Sequence, residues 1–60
     1  MVATQSAKLY ILDFYLEHGC DQAARLGFRA EQIAIARGSD IVTCGDCIKA
    51  EIALSGQVAA

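Results

Sequence analysis

An all-α fold, a small bundle of three to four short helices, is what this sequence predicts, and three features predict it. The chain contains no proline, so nothing locks φ or removes a backbone donor inside a helix. Eleven residues are alanine, the strongest helix former. Gly19, Gly27, Gly38 and Gly56 each follow a segment with apolar residues at helical spacing. Glycine is favoured just past a helix end because it enters the left-handed conformation without steric cost.

The first helix reads from Ser6 to His18. Leu9, Leu12 and Leu16 line one side and Ile11, Phe14 and Tyr15 another, while Asp13 and Glu17 share a polar stripe. A helix apolar over most of its circumference is central in a core or buried on two sides. A short second helix spans Asp21–Leu26 and a third spans Ala30–Arg37. The fourth, Cys44–Ser55, opens with Thr43-Cys-Gly-Asp46, a capping box with Asp in place of Glu. On it Cys44, Ile48 and Ile52 stack on one face. Ser39–Val42 reads as a connector or one extended segment, and a single strand without a partner gains little. Residues 1–60 make one domain, with 1–5 expected to be disordered and 57–60 frayed.

Size then bears on function. Hydrophobic residues make up 55% of the chain, yet a domain of this length hides only roughly 60% of the surface its unfolded chain exposes. Leu9, Ile11, Leu12, Phe14, Leu16, Leu26, Phe28, Ile33, Ile35, Ile41, Val42, Ile48, Ile52 and Leu54 are expected to furnish one compact core with a few side chains left over. The surplus predicts a second copy in a two-fold dimer, another protein, or an ion that staples the fold. Tyr10, Phe14 and Tyr15 cannot all pack inside so small a core, and aromatic residues are enriched at interface centres. Phe28 follows a glycine, and Ile35 lies away from the stripe that Ile33 and Arg37 define. Tyr10, Phe14, Tyr15, Phe28, Glu31 and Ile35 are therefore the candidate partner-binding residues.

The formal net charge is −2, with no run of either sign. A nucleic-acid binder concentrates Lys and Arg on one face, and a membrane-surface helix wants a basic polar face. Neither is present. Asp13 interrupts the early apolar stretch, so residues 1–14 do not read as a secretory signal. Three cysteines, an odd number, predict reduced thiols in a cytoplasmic protein.

His18, Cys20, Cys44 and Cys47 are the inventory of a tetrahedral Cys3His zinc site, with zinc as the cofactor it would hold. Such a metal would add directly to the folding free energy of a small domain. The competing reading treats the cysteines as small buried hydrophobes that need no metal. The CxxC at Cys44–Cys47 resembles thioredoxin-like redox sites over four residues, but the βαβ context is absent and Asp46 opposes thiolate formation. No serine has a neighbouring base in sequence, and no glycine pattern forms a phosphate loop. The chain is expected to be a non-enzyme.

Asp21–Gly38, DQAARLGFRAEQIAIARG, resembles a helix-turn-helix unit, with Ala23 where the first helix packs, Gly27 at the turn and Ile33 inside the second helix. The resemblance implies a helix-turn-helix-like central pair and, as an alternative function, a DNA-binding transcription regulator using Arg29, Gln32 and Arg37. The face offered to DNA would also carry Ala30, Glu31, Ala34 and Ile35, which suits protein contact better than base edges. Leu26-Gly27-Phe28, Glu31-Gln32 and the later Gly38-Ser-Asp-Ile41 are also similar to ubiquitin-associated three-helix domains, where a Gly-Phe turn forms an apolar binding patch. The leading expectation is a small regulatory or inhibitory protein acting by protein–protein binding as a homodimer. The alternatives are the DNA binder and a zinc-stapled interaction module. The size would also fit a phage or mobile-element origin.

Overall fold

Thr4 sets the start of the first helix. In the computed structural model, which describes the backbone of residues 2–59 and the side chains of 2–56, its hydroxyl accepts a hydrogen bond from the Ala7 amide at 3.2 Å. That caps α1, Gln5–His18. Ahead of it lies β1, Val2–Ala3, and after it come α2 (Cys20–Ala36), β2 (Ile41–Val42) and α3 (Cys44–Ala59). The three helices pack together as a small all-α bundle. Where fraying is expected, the backbone of 57–59 continues α3, and Ala60 lies outside the described residues.

The segment 39–42 finds the partner that the sequence did not disclose. β1 and β2 pair in parallel, with Val2 opposite Ile41 and Ala3 opposite Val42. The Thr4 amide extends the ladder to the Val42 carbonyl at 2.9 Å. Residues 2–4 are thus held by backbone hydrogen bonds rather than left loose.

Two glycines do terminate helices as expected. Gly19 alone joins α1 to α2, at φ +95, a conformation that a side chain would strain. Gly38, at φ +79, closes α2. Its amide donates to the Ile35 carbonyl and that of Ser39 to the Ala34 carbonyl, both at 2.9 Å, which is the Schellman pattern. Gly27 and Gly56 do not act this way. The helix-turn-helix-like break at Gly27 is corrected by the structure, because α2 runs unbroken through it. The helices read over Asp21–Leu26 and Ala30–Arg37 are one. A glycine inside a helix costs only about 1 kcal/mol, and the buried stripe Ala23, Leu26, Ala30, Ala34 continues across it.

The core is also not the one expected. Its buried members are Ala7, Leu26, Ala30, Ala34, Val42, Cys47 and Ala50. Of the large apolar residues assigned to it from sequence, only Leu26 and Val42 are buried. Ile11, Phe14, Ile33 and Leu54 pack half-buried around the edge. Leu9, Leu12, Leu16, Phe28, Ile35, Ile41, Ile48 and Ile52 are exposed. The small alanine side chains at the helix contacts let the backbones approach closely, and that leaves no room between them for bulk.

The capping box is present at the start of α3. The Thr43 amide donates to Asp46 Oδ2 at 2.9 Å, and the Asp46 amide donates back to Thr43 Oγ1 at 3.4 Å. Asp46 is only 2% exposed. Arg37 closes over it, donating from Nε to Oδ1 at 2.9 Å and from Nη2 to Oδ2 at 2.7 Å, and reaching the Ile41 carbonyl as well. This fork ties the end of α2 to β2 and the start of α3.

Candidate interaction surface

At 100° per residue, α1 has two opposed apolar faces. The inner one carries Ala7, Tyr10, Ile11 and Phe14, all packed in or against the core. The outer one carries Leu9, Leu12 and Leu16, exposed by 52%, 51% and 72%. The expected aromatic interface is therefore divided. Tyr10 and Phe14 turn inward, and only Tyr15 lies outside with the leucines. The Tyr10 hydroxyl donates to the Glu51 carboxylate on α3. That bond, followed by burial, pushes its pKa up to about 12. Phe14 carries the His18 ring at a centroid distance of 4.3 Å. The leucine stripe was visible in the sequence, but nothing local distinguished the inward side of α1 from the outward one.

On α2, Phe28 and Ile35 are exposed by 65% and 55%, on the side away from the buried stripe, with Glu31 half-buried between them. The outward face is not the one read from sequence, since Ala30 and Ala34, grouped there with Glu31 and Ile35, are fully buried and Phe28 follows no turn. Arg29 is half-buried and Gln32 is exposed. Arg37 is engaged with Asp46 and the Ile41 carbonyl, so the three residues assigned to DNA do not form one free row. Its hydrogen bonds, with those of the Thr43 amide and hydroxyl, hold the Asp46 carboxyl well below the usual carboxylate range. On α3, Ile48 and Ile52 form a third outward apolar pair.

The four residues of the expected zinc site are not brought together. His18 lines a cleft with Phe14, Gln22, Glu51, Leu54 and Ser55. Cys20 is exposed at the start of α2, Cys44 is half-buried and Cys47 is buried. Burial pushes the Cys47 thiol up from its ordinary value, with Cys44 and Asp46 adding to the effect, which is the reverse of thiolate activation. Among the described residues, no group of three or more His, Cys, Asp or Glu side chains is placed to hold a metal ion. Nor, among them, is any helix long and apolar enough to cross a membrane. The clefts between helices measure about 190, 200 and 330 Å³, at or below the small end of ligand-site volumes.

Fold and surface together describe a small helical bundle with apolar residues on the outside of each helix. Comparison with protein-family models, with curated proteins and with solved structures finds no match.

Proposed function

We propose that this chain is a small non-enzymatic regulatory or inhibitory protein that acts by protein–protein binding, as a homodimer. One observation carries the reading: most of the large apolar side chains, among them Leu9, Leu12, Leu16, Phe28, Ile35, Ile48 and Ile52, are exposed around a core built mainly of alanine. Large apolar side chains grouped on an exposed helix face mark interaction sites. The area that a standard interface takes from one partner, about 800 Å², is near a fifth of the 4066 Å² this fold exposes. The faces available are the outer leucines of α1 with Tyr15, the Phe28–Glu31–Ile35 face of α2, and Ile48 with Ile52 on α3. Burying a large apolar side chain contributes about 1.5–3 kcal/mol, and association costs about 4–15 kcal/mol. Three half-exposed side chains from each of two copies gain roughly 5–11 kcal/mol on that scale. One such face gives weak, concentration-dependent pairing, and a second is needed for tight binding. A cytoplasmic setting suits three free thiols.

Sedimentation equilibrium over a concentration series tests the reading, with a dye that reports exposed apolar surface as a companion measurement. Mass rising toward two chains is the expected result. A strictly monomeric, folded chain that binds no dye refutes it. Phe28→Ser and Ile35→Asp should leave thermal unfolding nearly unchanged. A loss on the order of 2–5 kcal/mol would assign both to the core instead.

A further inference from the structure

The outer face of α1 has the spacing of a pairing helix. Gln5, Leu9, Leu12 and Leu16 follow one another at intervals of four, three and four, the alternation that keeps one stripe facing a partner helix. The stripe lies opposite Ala7, Tyr10, Ile11 and Phe14, so a helix docked on it would leave the bundle's own contacts intact. It ends at Gly19, where the chain turns away.

The two edges of this stripe carry opposite charge. Lys8 and Tyr15 border one side, and Ser6 and Asp13 border the other. All four are exposed. Among the described residues neither Lys8 nor Asp13 belongs to an ion pair. A two-fold axis parallel to the helix sets each edge against the opposite edge of the other copy. Lys8 then meets Asp13 of the second copy, five residues ahead, and the pair occurs twice. An antiparallel arrangement sets like edges together, with Asp13 along the edge that bears the second Asp13 and Lys8 along that of the second Lys8.

We propose that two copies of this chain pair α1 against α1, parallel and in register, through Leu9, Leu12 and Leu16, with Lys8 of each facing Asp13 of the other. This rests on the self-association reading above and assigns it a surface and a direction. The seam from Gln5 to Leu16 is about three turns, roughly 16 Å long, which puts the contact at the small end of interface sizes.

The test is sedimentation equilibrium of the full chain and four variants, each checked for an unchanged thermal melt. Leu12→Lys should leave the chain folded and monomeric. Lys8→Glu and Asp13→Lys should each weaken pairing about tenfold, since each turns two attractive contacts into two repulsive ones. The double exchange K8E/D13K should restore it to within about threefold. If Leu12→Lys remains a dimer, this assignment is wrong while self-association stands. If Leu12→Lys is monomeric but the charge exchanges change nothing, the parallel direction is overturned. A monomeric wild-type chain overturns both this pairing and the self-association on which it rests.

Discussion

Asp46→Ala probes a buried charge on which three elements converge. The side chain is 2% exposed and accepts from Arg37 Nε, Arg37 Nη2, the Thr43 amide and the Thr43 hydroxyl. Removing it deletes the side-chain half of the capping box of α3, the bond from the Thr43 amide to Oδ2, and leaves the bond from the Asp46 amide to Thr43 Oγ1 in place. The Thr43 amide then lacks its acceptor, which costs about 1–3 kcal/mol where water does not replace it. Arg37 limits the damage, because its side chain is 41% exposed and regains water readily. The expected loss is roughly 1–3 kcal/mol, or about 5–20 °C in melting temperature for a domain this small. Circular dichroism melts at about pH 7 measure it. The pH dependence follows from the depressed carboxyl pKa. A carboxylate whose folded value lies below its unfolded value of about 3.9 stabilises fully above that value, and the stabilisation is lost as the pH falls through it toward the folded value. The wild-type melt should therefore drop below about pH 4 and converge on that of Asp46→Asn, which lacks the titration. A neutral-pH melt of Asp46→Ala within about 3 °C of wild type would refute the view that this fork holds the start of α3.

Gly27→Ala separates the continuous helix from a turn. Gly27 has no positive φ, and an added Cβ meets nothing within 4 Å, so the change should stabilise by about 0.5–1 kcal/mol; destabilisation on melting would restore the turn. Tyr10 should ionise near pH 12 in an ultraviolet titration, and Tyr10→Phe should remove that phase. Because the folded value is raised above an unfolded value of about 10, this tyrosine's contribution to stability is complete below about pH 10 and fades as the pH rises toward 12. A titration in which the Tyr10→Phe variant keeps the late phase would detach Tyr10 from Glu51.

Several elements were legible in the sequence because their causes are local. A capping box needs only Thr43 and Asp46, one turn apart, and a glycine terminator needs only the backbone freedom that Gly19 and Gly38 supply at positive φ. Phe28 is exposed for a different reason from the turn read at Gly27: it stands with Ile35 on the outer side of the unbroken α2. Residues distant in sequence decided the rest. Gly27 looked like a terminator, but burial of Leu26, Ala30 and Ala34 against α3 and β2 outweighs the small local penalty. Both sides of α1 are apolar, so no pattern within it could say which faces inward; Glu51, 41 positions from Tyr10, and the packing around Phe14 choose that side. Nor could composition foretell a core of alanines. Hydrophobicity ranks which residues gain most from burial, whereas close approach of three helices selects the side chains small enough to fit between them.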